Sequence, residues 1–184
     1  MSVSVCDSGH LMPVDEAIAT LLAQAPPPPS TQVIGLEQAL GRVVAEELFS
    51  PLDLPGFDNS AMDGYALRAF DVPEQGGYLE VVGRIAAGHS TDVPLQPGQA
   101  VRIFTGAPLP PGADSVVPQE RCRVYGQRIW CPPLRMGEHV SKRAHLLQRG
   151  QPVVSADKRL VAWDIDLLAA AGFPRIKVYR SSTA

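Results

Sequence analysis

The sequence predicts an α+β fold: an elongated two-part chain, with a β-rich, barrel-like domain inserted into a small mixed α/β unit. Three observations predict it. Helical periodicity is confined to two stretches near the ends, 13–25 and 163–171. The middle holds short β-branched runs cut by turn residues. Pro 18 and Gly 16 among 184 residues favour turns and short strands over long helices. The expected boundaries are 1–29 for an N-terminal helix and proline linker, 30–49 plus 147–180 for the mixed unit, and 50–146 for the β-rich domain.

In chain order, 13–25 (PVDEAIATLLAQA) reads as a helix. Pro13 suits its first position, and Asp15 and Glu16 suit its first turn. Val14, Ala17, Ile18, Leu21 and Leu22 share one face at helical spacing, and that face needs a partner. Pro26 to Pro29 cannot continue a helix and form a stiff spacer. A strand is expected at 31–36, a helical turn from Glu37 to Leu40 closed by Gly41, and an extended run at 42–49. Further strands are expected at 65–67, 78–85, 100–104 and 115–118. Gly126-Gln127 is a two-residue hairpin loop within 121–131. Pairing across it sets Val124 opposite Ile129 and Cys122 opposite Cys131, on one apolar face. A strand at 152–155 precedes the helix 163–171, whose Ile165, Leu168 and Ala169 are expected to face one way. Gly172 suits its C-terminal cap, and a last strand runs over 175–179.

Charge and cysteine usage exclude several classes. The net charge is −3, with no strong basic bias, so nucleic acid is not an expected partner. The three cysteines show no CxxC or Cys/His ligand spacing, so neither a disulfide framework nor a structural zinc site is expected. Free thiols in a reducing compartment fit Cys122 and Cys131. There is no signal-peptide pattern and no apolar run of membrane-spanning length, so the expected location is cytoplasmic, away from membranes. The motifs GxSxG, GxGxxG after a strand, the P-loop and HExxH are absent. The four histidines have no ligand spacing.

Two stretches carry chemistry. In 51–70 (PLDLPGFDNSAMDGYALRAF), Asp58 and Asp63 flank Asn59 and Ser60, and Gly64 follows. Such residues make an irregular, fixed loop. On composition it is either a turn with two solvated aspartates or a site for a hard cation or a general base. In 104–120 (FTGAPLPPGADSVVPQE), Thr105 offers a hydroxyl and the Gly106 N–H is a donor suited to an anion. Pro108, Pro110 and Pro111 stiffen that loop into either a surface connection or one wall of a cleft. A basic segment, 135–149, carries Arg135, His139, Lys142, Arg143, His145 and Arg149. It is either a solvated face or an anion-attracting rim beside the acidic loop.

These stretches resemble a known family. SPLDLPGFDNSAMDGYA and TGAPLPPGADSVVPQE resemble signatures of the molybdopterin molybdotransferases, the MoeA and gephyrin E-domain family. GLEQALGRVVAEEL (35–48) and Gly150 through DIDLLAAAG (164–172) resemble it in the same order. The resemblance implies insertion of molybdate into adenylylated molybdopterin, with release of AMP and use of a divalent cation such as Mg2+. It implies a homodimer, formed here through the mixed α/β unit, with an active site between the β domain of one subunit and a larger α/β domain of the other. It implies Asp63 and Thr105 as catalytic residues, with Asp63 also the metal ligand. It implies Asp58, Asn59, Ser60, Gly106, Lys142 and Arg143 as the substrate-binding surround.

The sequence departs from the family pattern in two ways. After the β domain the family carries an Arg-rich run ending in Gly-Glu-Asp or Gly-Ser-Asp. Here that run is Ser141 to Leu146, with Ala144 at the glycine and Leu146 at the aspartate. The family's α/β domain, with its glycine-rich pterin-binding motif, would begin near Tyr179. The expectation is therefore a chain that supplies one wall of the site and is inactive without a further domain, which a separate chain would carry. The alternative is a catalytically silent dimerisation or binding module derived from the family.

Overall fold

Backbone pairing brings the two ends of the chain together. The structure, a computed structural model, describes residues 12–27 and 29–181. Cys6, His10, Pro28 of the proline run and the last three residues lie outside them. The elements are α1 (Val14–Ala23), β1 (Thr31–Gly35), β2 (Leu48–Phe49), β3 (Asn59–Ser60), β4 (Gly64–Leu67), β5 (Gly77–Ile85) and β6 (Gln99–Ile103). They continue with β7 (Ser115–Pro118), β8 (Arg123–Tyr125), β9 (Arg128–Cys131), β10 (Val140–Ser141), β11 (Pro152–Val154), α2 (Ala162–Ala170) and β12 (Arg175–Tyr179).

β1 pairs antiparallel with β12, and β2 with β11. The core beneath them is built from the same two ends. Leu36, Ala39, Val44 and Leu48 from one meet Val154, Leu160, Leu168, Ile176 and Val178 from the other. The expected turn at 37–40 is a 3-10 turn over Leu36–Gln38, and Gly41 leaves it at φ +77.

The middle forms a curled six-stranded sheet in the order β7-β4-β6-β5-β9-β8. Only β5 and β6 run parallel within it. All four residues of the central β4 are buried, because side chains alternate between two packed faces. Tyr65 and Leu67 join Leu79, Ala100, Val117, Ile129 and Cys131 on one face. Ala66 joins Ile85, Leu95, Val101, Ile103 and Val116 on the other.

Three details differ from the sequence expectation. Val124 faces Ile129 as expected but is 63% exposed, while Ile129 is fully buried. β8 is an edge strand, and among the described residues nothing covers its apolar residue on the outer side. In α2 Leu168 is buried and Ile165 packs against the core as expected, but Ala169 is exposed, and Asp164, with Ala171 just past the helix, is buried instead. Ala169 lies about 100° round the helix from Leu168, which turns it off the core face. Pro13 precedes the first helical residue of α1 instead of occupying it.

No residue of α1 is buried. Val14 is 74% exposed, and Leu21 and Leu22 are 69% exposed each. Each such side chain would gain about 1.5–3 kcal/mol on full burial, and none of it is realised here. Among the described residues no helix is long and apolar enough to cross a membrane.

Candidate functional site

The acidic loop leads directly into β4, an inner strand of the six-stranded sheet. A β-carbon at Gly64 would collide with the backbone carbonyl of Val117, so only glycine lets β4 lie against β7 at this point. That fixes Asp63, the preceding residue, at the strand's mouth. Its backbone carbonyl accepts the Gln119 N–H at 3.0 Å. Its carboxylate Oδ1 accepts both the Thr105 N–H at 2.9 Å and the Thr105 hydroxyl at 2.8 Å. These two donors, backbone first, hold the Asp63 carboxyl below its ordinary value, with the Arg102 charge adding to them. Asp63 Oδ2 has no hydrogen-bond partner among the described residues, and the side chain is exposed.

The rest of the loop is pinned from both sides. β3 pairs with β10, setting Ser60 against Val140 and Asn59 against Ser141. On its other side, Ser60 N–H donates to Ala107 O at 2.9 Å and Gly106 N–H donates to Ser60 O at 2.8 Å. Ser60 is buried, and its hydroxyl donates to the Met62 carbonyl at 2.6 Å. Asn59 bridges to Pro108. Asp58 accepts the Lys142 ammonium and the Arg143 N–H, each at 2.8 Å. Lys142 first, then that amide, lowers its pKa.

The structure thus brings together the residues singled out in sequence: Asp58, Asn59, Ser60, Asp63, Thr105, Gly106, Lys142 and Arg143. It also changes what they are free to do. The Gly106 N–H, read from sequence as an anion donor, is taken by Ser60. Both Thr105 donors are taken by Asp63. Two cations of the basic segment are ion-paired: Lys142 with Asp58 and Arg143 with Asp53 at 2.6 Å.

Sequence reading missed Arg102. Its guanidinium donates to Gly64 O at 2.7 Å, to Ile103 O at 3.0 Å and to the Gln119 side chain. It also lies over Tyr65 and Phe104, 5.3 and 4.5 Å from the ring centres. No local motif marks it; only its register opposite Tyr65 does. Asp53 was also passed over. It accepts the Arg149 N–H at 2.8 Å and the Arg143 Nε at 2.6 Å, and those donors lower its pKa in that order. With Arg143 and Arg149 it lines a groove of about 410 Å3 beside the loop. A cavity of about 390 Å3 lined by Arg42, Arg159, Tyr179 and Arg180 lies elsewhere and holds none of the expected site residues.

Two residues of the altered run sit at the junction. Ala144 takes φ +61 and donates its N–H to Pro55 O at 2.9 Å. Leu146 is 72% exposed and offers no ligand atom where a carboxylate was expected. Among the described residues no group of three His, Cys, Asp or Glu side chains converges as a metal site. Asp63 Oδ2 is one free carboxylate oxygen, too few for Mg2+, which takes six ligands in near-octahedral geometry. These residues alone do not form a magnesium site.

Residues 12–172 match the family described as the MoeA N-terminal region, domains I and II. The chain is 45% identical over 155 residues to a molybdopterin molybdenumtransferase of Nostoc sp., covering 82% of this chain and 36% of that protein. It is 33% identical over 172 residues to a protein of the same name from Haemophilus influenzae, covering 92% and 42%. A crystal structure of the molybdopterin biosynthesis MoeA protein from Pyrococcus horikoshii superposes with a TM-score of 0.84 at 30% identity, covering 92% of this chain and 46% of that one. The chain therefore spans less than half the length of these relatives. With a match over 161 of its 184 residues (12 through 172), it belongs to the family of the MoeA N-terminal region.

Proposed function

We propose that these residues supply one wall of the active site that inserts molybdate into adenylylated molybdopterin. The observation that carries the proposal is the Asp63–Thr105 pair where β4 begins and β6 ends. Two donors from one residue fix the carboxylate as an anion and leave its second oxygen outward. A fixed, ionised carboxylate suits a general base, or one ligand of a hydrated magnesium ion whose other ligands come from water, substrate and a further domain. In this reading Asp63 and Thr105 are the catalytic residues. Asp58, Asn59, Ser60, Gly106, Lys142 and Arg143 hold the surrounding wall in shape. The further domain would correspond to the rest of the relatives' length, on this chain or a separate one.

The same proposal takes 50–146 as a β domain inserted into a unit made of 30–49 and 147–180, with 1–29 as helix and linker. End-to-end strand pairing and a core drawn from both ends support it. It takes that unit as the homodimer contact, supported by exposed Val33, Leu40, Val161 and Trp163 on its surface. Light scattering showing only monomer would count against the dimer. Two free cysteines fit a cytoplasmic setting.

The test is molybdate insertion from adenylylated molybdopterin, with the 184 residues alone and together with the further domain. Turnover is expected only in the second case, and Asp63→Asn should lower it ~100-fold or more. Turnover by the 184 residues alone would overturn the composite site. A second reading, a silent dimerisation or binding module, is favoured by one observation: Leu146 stands exposed where a carboxylate was expected. Inactivity with every partner, persisting in Leu146→Asp, would establish that second reading.

A further inference from the structure

The Gly106 and Thr105 donors read from sequence as suited to an anion are engaged within the protein, which directs attention for an anion contact to cations near Asp63. Arg84 on β5 and Arg102 on β6 are direct register partners in the one parallel pairing of the six-stranded sheet. Partners in register project from the same face. Two like charges set side by side across strands destabilise a sheet. Here they share one aromatic ring: the guanidinium of Arg84 lies 4.6 Å from the Phe104 centre, and that of Arg102 lies 4.5 Å from it. Neither is ion-paired with a carboxylate among the described residues. Arg84 is exposed, and its side chain makes no hydrogen bond among those residues. Phe104 is followed directly by Thr105, the partner of Asp63.

We infer that Arg84 and Arg102, held on Phe104, form a subsite for a tetrahedral oxyanion next to Asp63. An oxyanion held by both guanidiniums would offset the repulsion that the sheet register imposes. Arg102 is held by two backbone carbonyls and Gln119 and acts as the fixed member. Arg84 spends none of its N–H donors on hydrogen bonds among the described residues, which leaves the fork available for bidentate contact with such a group. Either molybdate or the phosphate of the adenylylated substrate has this chemistry. The inference rests on the proposed reaction only for the choice between those two sources.

The experiment titrates the 184-residue chain with sodium molybdate, inorganic phosphate and AMP, each alone. The readouts are calorimetry and the arginine Nε–H resonances. Saturable binding that weakens with salt is expected for at least one probe, with shifts at Arg84 and Arg102. Arg84→Gln should weaken it at least five-fold, and Arg84→Lys should retain part of it. Exposed Arg84 can be replaced without opening the core, and a thermal melt checks this. Loss of molybdate binding alone assigns the subsite to the inserted oxyanion. Loss of phosphate and AMP binding alone assigns it to the phosphate ester. Absence of saturable binding, or binding indifferent to Arg84→Gln, overturns the subsite. Insertion activity with the further domain that is untouched by Arg84→Gln would sink this inference and leave the proposed function standing. Arg84-dependent binding without insertion activity under any partner would do the reverse.

Discussion

Ala144 shows how one side chain records a departure from a family pattern. It sits at φ +61, where the β-carbon crowds the backbone, at a position where glycine was expected. The left-handed conformation costs a non-glycine residue about 1–2 kcal/mol. Glycine in its place gives up about 0.5–1 kcal/mol through the greater freedom of its unfolded chain. The first effect wins, so Ala144→Gly should stabilise the protein by roughly 0.5–1 kcal/mol. Urea denaturation monitored by tryptophan fluorescence reads this directly, and an unchanged or lower midpoint would show that no strain is stored there. The residue identities around the site were legible in sequence, because Asp, Asn, Ser and Gly cluster there and nowhere else so densely. Their partners were not. Lys142 lies 84 positions from Asp58 and Arg143 lies 90 from Asp53, and no local pattern encodes such a pairing. This is why Lys142 and Arg143 read as free cations in the sequence and are paired in the fold.

At the scale of elements, strands and helices were legible where periodicity was strong: β5, β6, β7, β12 and both helices fall within a few residues of expectation. In α2 the expected Leu168 and Ile165 do pack on the core, and the errors were Ala169, which is exposed, and Asp164, which was not foreseen. Asp164, a charged residue, points inward at 2% exposure. Its Oδ1 accepts the Lys158 ammonium at 2.6 Å and its Oδ2 accepts the Val161 N–H at 3.0 Å. That second bond ties down the start of the helix, and the acid three residues after Val161 (Val161-Ala162-Trp163-Asp164) was the available signal for it. Burial opposes ionisation of Asp164, but the Lys158 pair and the Val161 amide together bring its pKa below the ordinary value. Asp164→Asn keeps an acceptor for the amide and loses the charge; Asp164→Ala loses both. The expected order of stability is wild type, then Asn, then Ala, with the Ala variant down by about 1–2 kcal/mol. Thermal melts of the three proteins check it, and an Ala variant as stable as wild type would remove Asp164 from the account of α2.

Across the whole molecule, the two parts meet through paired connecting segments. Leu54 and Leu147 exchange backbone contacts there, and Asp53 clasps Arg143 and Arg149. The charged groups that hold this junction, the site loop and α2 all shift the same way. Asp53, Asp58, Asp63 and Asp164 each titrate below 3.8 in the fold, and Glu138 titrates below 4.5. A carboxylate with a lowered folded pKa adds stability above its unfolded pKa, and that stability is lost as the pH falls through the folded value. The thiols act at the other limit. Burial pushes Cys122 up to about 12, with Cys131 adding to it, and pushes Cys131 up to about 11. A raised folded pKa adds stability below the unfolded value of 9.0, and that stability is lost as pH rises through the folded values. The melting temperature should therefore be nearly flat between about pH 5 and 8, fall steeply below about pH 4, and fall again above about pH 9. Cys122→Ala should flatten the alkaline limb and leave the acid limb in place. Asp58→Asn and Asp53→Asn should each make the acid limb shallower and leave the alkaline limb unmoved. A melting temperature that rises on acidification would mean that these carboxylates are not held as anions in the fold, and the ionised Asp63 of the proposed site would fall with them.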